Sequence, residues 1–99
     1  MLIVAGEFQV ESQDREAFLA GRVDMIRTSR AEPGCIEYTF AADPIESGRV
    51  VLYERWESQD ALDAHLKAQR SGPPPAGPQV AVKSMSIRVY DISGDRPLG

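Results

Sequence analysis

The chain has 99 residues, 42% hydrophobic and 26% charged, with a net charge of −4 and a pI of about 4.9, enough for one core and one domain. Its 11 Lys and Arg are scattered, which sets aside nucleic-acid binding, and no apolar run approaches the ~20 residues that span a bilayer. A single cysteine, Cys35, excludes an internal disulfide, and the start carries no charged n-region or cleavage site, so no signal peptide is expected and the expected compartment is cytoplasmic.

The first strand runs from Leu2 to Val10, with Leu2, Val4, Phe8 and Val10 on one face and Ile3, Ala5, Glu7 and Gln9 on the other. Ser12 or Asp14 is placed to cap a helix reaching about Arg30, striped with Phe18, Leu19, Val23, Met25 and Ile26. Pro33-Gly34 ends that helix and turns the chain. The second strand is Cys35 to Ala41, in which Ile36, Tyr38 and Phe40 alternate with Cys35, Glu37 and Thr39. A polar loop from Asp43 to Gly48 then leads to a third strand, Arg49 to Trp56. There Val50, Leu52, Glu54 and Trp56 share a face opposite Val51, Tyr53 and Arg55.

Ser58 is an N-cap for a second helix, Gln59 to about Gln69, with Leu62, His65, Leu66 and Gln69 aligned. Residues 71–79 form a Pro/Gly-rich loop with polyproline character. The last strand is about Val80 to Tyr90, and 93–99 is a polar tail. Residues 1–92 thus make a single domain of order β-α-β-β-α-β. That order is an α+β fold: a four-stranded antiparallel sheet with two helices on one face. The helix-free face carries Val51 and Tyr53, an apolar surface that a homodimer would bury.

Several chemistries lack their parts. There is no glycine-rich phosphate loop and no Gly-x-Ser-x-Gly elbow, and one His with one Cys makes no zinc set, so no metal and no bound cofactor are expected. What remains is a pocket between sheet and helices. Trp56 closes the third strand on the face of Leu52 and Glu54, and His65 follows on the apolar face of the second helix. Arg22 sits within the apolar stripe, near Phe18. Each has a plain structural role as well: Trp56 as a core anchor, His65 satisfying a carbonyl, Arg22 reaching for solvent, Glu54 pairing across the sheet, Cys35 as a small core residue. An imidazole in such a pocket nevertheless has the chemistry of a proton acceptor.

The segments Arg30-Ala-Glu-Pro-Gly-Cys-Ile-Glu-Tyr38, Val51-Leu-Tyr-Glu-Arg-Trp-Glu-Ser58 and Ala61-Leu-Asp-Ala-His-Leu66 resemble the antibiotic biosynthesis monooxygenase (ABM) domain family. The resemblance covers nearly the whole chain. It implies a ferredoxin-like fold whose two sheets pack into a dimeric α+β barrel. It also implies cofactor-free monooxygenase chemistry on an electron-rich aromatic (quinol, phenol or anthrone) with O2. Members of the family that degrade haem are known too. By position, Trp56 matches the pocket Trp and His65 the His of the His-Leu motif, the two catalytic candidates. Arg22, Glu54, Leu52, Leu62 and Phe18 are the candidate substrate contacts. Two features depart from the family. The sequence contains no Asn, and Leu52 stands where the polyketide anthrone oxygenases carry theirs. The Pro-His-Phe segment that often follows His-Leu is replaced by Gln69-Arg-Ser-Gly-Pro. The alternative to an oxygenase is a non-catalytic dimeric module of the same fold that binds a small molecule or simply associates.

Overall fold

The computed structural model describes residues 1–73 and 79–99. Strands β1 (Leu2–Val10), β2 (Cys35–Ala42), β3 (Arg49–Trp56) and β4 (Val82–Asp91) form one antiparallel sheet in the order β2-β3-β1-β4. Helices α1 (Arg15–Ala20), α2 (Val23–Arg30) and α3 (Gln59–Ser71) lie on one face, α1 and α2 against β2 and α3 against β3. This is the ferredoxin-like α+β arrangement. No helix among the described residues is long and apolar enough to cross a membrane.

The alternation read from the sequence is the alternation of burial. Leu2, Val4, Phe8 and Val10 from β1 meet Val50, Leu52 and Trp56 from β3 in the core, closed over by Phe18, Tyr38 and Leu62. Gly6 lies where β1 and β4 approach too closely for a side chain: a Cβ there would stand 2.0 Å from the Ser86 carbonyl oxygen.

The single first helix expected to reach Arg30 is two helices. Gly21 and Arg22 separate them, and the Arg22 N–H donates to Leu19 O, three residues back. The tightened turn and the low helix propensity of glycine break the axis. Neither Ser12 nor Asp14 caps it with a side-chain hydrogen bond; Ser12 sits in a 3-10 turn and bonds Ser47 instead. Ile36, expected on the same face as Tyr38 and Phe40, is 44% exposed. Cys35 pairs with Trp56 and Glu37 with Arg55, so Ile36 is the extra residue of a β-bulge and turns outward. The second helix continues to Ser71, and Val80 packs on the core ahead of β4. Of the polyproline loop expected over 71–79, residues 74–78 lie outside the described residues.

The edge strand β4 escapes the helices. Met85, Ile87 and Val89 pair with Phe8, Gly6 and Val4 and so point to the helix side, yet they are 66%, 40% and 53% exposed. The space between sheet and helices is therefore open along this edge.

Candidate active site

The position of His65 follows from two local devices. Ser58 caps α3 by accepting the Ala61 N–H at 3.1 Å, which fixes where the helix starts. Gly34, at φ +84°, lets the turn after α2 press against that start: a Cβ would lie 2.5 Å from the Ala61 Cβ. The Gly34 carbonyl also accepts the Glu57 N–H at 2.8 Å. With turn and helix clamped together, Glu32 reaches across to the imidazole about two helical turns along α3.

The contact is direct. His65 Nδ1 stands 2.6 Å from Glu32 Oε1, across 33 residues of sequence. The imidazole side chain is 3% exposed. It lies on the Trp56 indole, with centroids 4.7 Å apart, and against the Tyr38 ring at 5.3 Å. The Trp56 indole N–H donates to Glu54 Oε1 at 2.9 Å, and Glu54 is buried. Burial pushes the Glu54 carboxyl above its ordinary range, and nearby Glu32 adds to that rise. The Trp56 hydrogen bond and His65 pull the other way. Burial likewise raises the Tyr38 phenol, whose hydroxyl approaches Met25 Sδ at 3.3 Å. Among the described residues no buried side-chain nitrogen or oxygen lacks a partner.

This cluster forms one end of a cavity of about 350 Å³ between sheet and helices. Arg22, Leu52, Glu54, Leu62 and His65 all line it, so five of the residues picked out by sequence meet at one cavity. Phe8, Tyr38, Phe40, Met25 and the polar Gln69 also line it, and Ile87 and Val89 form the open side at β4. Two expectations need correcting. Trp56 has no exposed surface and Phe18 is 2% exposed; both lie behind the lining. Trp56 reaches the cavity through Glu54 and His65. Phe18 reaches it through Arg22, whose guanidinium lies 4.3 Å from the Phe18 ring centre. Burial lowers the Arg22 pKa. A second recess, between α2 and α3, is lined by Glu32, Asp24, Thr28 and His65 among others. Glu32 was missed by sequence reasoning because Glu-Pro-Gly-Cys was read only as a turn. Its place beside the Gly34 clamp was the available signal. No set of three or more His, Cys, Asp or Glu among the described residues converges to hold a metal ion.

The family model "antibiotic biosynthesis monooxygenase" matches residues 1–71 of this sequence. The chain belongs to the ABM family. The uncharacterized protein sll1783 of Synechocystis is 32% identical to it over 104 residues, covering 98% of this chain and 67% of that protein. Among solved structures, a candidate antibiotic biosynthesis monooxygenase from Deinococcus radiodurans superposes with a TM-score of 0.80 at 17% identity, over 100% of this chain and 99% of that one. Rv0793 from Mycobacterium tuberculosis gives a TM-score of 0.69 at 26% identity, over 97% and 98%. MhuD, a haem degrader of the same organism solved with two haems in its active site, gives 0.71 at 13% identity, over 98% and 100%. At such identity the likeness to MhuD, as to the Deinococcus protein, is one of fold. In this ABM chain Leu52 is buried in the cavity wall.

Proposed function

We propose that this ABM-family chain is a cofactor-independent monooxygenase that oxidises an electron-rich aromatic (a quinol, phenol or anthrone) with O2. The observation that carries the reading is the buried His65–Glu32 pair at the end of a largely apolar cavity. Glu32 is a positioning residue: a carboxylate at Nδ1 favours the tautomer with its proton on that nitrogen, which leaves the Nε2 lone pair for a substrate. His65 is the catalytic base. Trp56 backs it and donates to Glu54. Arg22, Glu54, Leu52 and Leu62 contact the aromatic, and Phe18 supports Arg22 from beneath.

His65 takes the proton of an aromatic hydroxyl, leaving an electron-rich anion. That anion passes one electron to O2, and the resulting radical and superoxide recombine as a peroxide on a ring carbon, protonated by the imidazolium. Loss of the carbon's hydrogen as a proton, with departure of hydroxide, leaves a carbonyl and water. The substrate gains one oxygen atom and loses two hydrogens; the second oxygen atom becomes water. The protein's part is deprotonation, orientation and exclusion of water.

The functional unit in this reading is a homodimer. Ile3, Ala5, Val51 and Tyr53 on the helix-free face are only partly buried, and pairing two such faces would bury over ~1,000 Å². Sedimentation as a stable monomer at micromolar concentration would contradict this. The activity is tested by oxygen consumption over a panel of quinols, phenols and anthrones, without added metal, flavin or haem. Protein-dependent O2 uptake with one oxygen atom incorporated supports the reading. No uptake with any of them overturns it and favours the non-catalytic small-molecule module, for which Leu52 in place of a polar Asn is the supporting observation.

A further inference from the structure

Among the described residues four arginines are half-buried, and three are spoken for. Arg15 donates to the carbonyls of Asp43 and Glu46, Arg49 pairs with Glu7 and Asp43, and Arg55 reaches Met1 and Asp95. Arg22 differs. Among the described residues it makes no side-chain hydrogen bond and has no carboxylate within 4.0 Å. Its guanidinium rests on Phe18, lies 5.9 Å from the Phe40 ring centre, and lines the cavity. A guanidinium has five donors in a planar fork, and here, half-buried at the cavity, none of them is taken by a protein acceptor among the described residues.

The cavity is electrically polarised. Arg22 stands at the level of Phe40, which pairs with Leu52. Glu54, His65 and Glu32 gather one step further along the strand, where Tyr38 pairs with Glu54. Same-face neighbours on a strand are about 7 Å apart, a span that one benzene ring with substituents at opposite ends fills. An anionic group is repelled from the Glu54 end and drawn to the Arg22 end; a hydroxyl suits the imidazole.

We infer that Arg22 is an anion subsite and that the ligand of this cavity is a hydroxylated aromatic carboxylate, bound with its carboxylate on the guanidinium and its hydroxyl toward His65. The inference deepens the proposed function and rests on the cavity being the ligand site. It gives Arg22, so far one contact among several to the aromatic, a permanent charge to hold that fixes which way round the ring enters. Bidentate pairing is the reason an arginine serves better there than a lysine.

Calorimetric titration of the intact protein with 4-hydroxybenzoate and with its uncharged counterpart 4-hydroxybenzamide tests this. The acid binds tighter by about tenfold or more, the worth of a charge-assisted contact in a partly enclosed site. In Arg22→Met, whose apolar stem still covers Phe18, the preference falls to about equal affinity. Arg22→Lys keeps part of it. Circular dichroism and thermal melting establish that each variant is folded. Equal affinity for acid and amide in the wild type, binding of neither, or a preference that survives in folded Arg22→Met each overturn the inference. Oxygen uptake is read separately. Acid-selective binding, with no oxygen uptake from any quinol, phenol or anthrone of the panel, leaves the subsite standing and removes the oxygenase reading; turnover of uncharged quinols with no acid preference does the reverse.

Discussion

Two carboxylates on this sheet meet opposite fates. Asp43, where β2 enters its loop, accepts backbone N–H groups from Ile45 and Glu46 and pairs with the Arg49 guanidinium at 2.7 Å. Those donors hold its carboxyl down at about 2. Glu54, buried on β3, has the single Trp56 donor, and burial pushes its carboxyl up. The same functional group is thus locked as a charge at the loop and made a reluctant charge in the cavity. Fixed anions with many donors belong to architecture: Asp43, Arg49 and Arg15 tie the β2–β3 loop to α1. A buried carboxyl with few donors, beside an imidazole, suits the proton chemistry proposed for this cavity.

The sharpest test falls on the imidazole. His65→Ala should lower turnover of an active substrate by a factor of about 10² or more, measured as oxygen uptake by protein shown to be folded. Undiminished turnover would erase the chemical half of the contrast and shift attention to Glu54. Next comes Trp56→Phe. Because the indole lies behind the lining, its loss should cost stability, about 1–3 kcal/mol by urea unfolding, and change ligand affinity little. A large loss of affinity at unchanged stability would restore the indole to the cavity wall.

Glu54→Gln probes the reluctant charge directly. A carboxyl raised in the folded state stabilises it fully below the unfolded pKa, and that contribution is lost as pH rises through the folded value. Glutamine keeps an acceptor for the Trp56 N–H and removes the titration. The variant's melting temperature relative to wild type should therefore climb as pH goes from acid to neutral. A flat difference would mean that Glu54 is solvated in the folded protein.

How much of this could be read in the sequence depended on range. Strand alternation is local, and so the rows through Val4, Leu52 and Trp56 and the Ser58 cap were legible, as was the apolar face that carries His65. The break at Gly21 was hidden because the apolar stripe runs through it without losing step. The Ile36 bulge was hidden because one inserted residue leaves the alternation of β2 looking continuous; only the partner register reveals it. Glu32 was hidden for the most instructive reason: its partner is 33 residues away, and the contact depends on a positive-φ glycine clamped against Ala61. Trp56 was picked out correctly as a large group on the right face, but periodicity gives the face of a side chain, not its depth.

The smallest expected effect is at Asp43, and its sign is the reverse of that at Glu54. A carboxyl at about 2 in the folded protein, against ~3.9 in an unfolded chain, contributes stability that is fully present above the unfolded value. It is lost as pH falls through the folded one. Asp43→Asn removes the charge, yet the asparagine side-chain oxygen can still accept the Ile45 and Glu46 N–H groups, so the loop turn survives. What disappears is the charged component of the Arg49 pair, near the surface and screened by salt. The variant should melt slightly below wild type at pH 6, and the gap should close between about pH 4 and pH 2. Added salt at pH 6 should shrink it as well. A gap that persists at pH 2 would assign the loss to loop geometry, and the loop carboxylate would cease to be the locked charge against which Glu54 is measured.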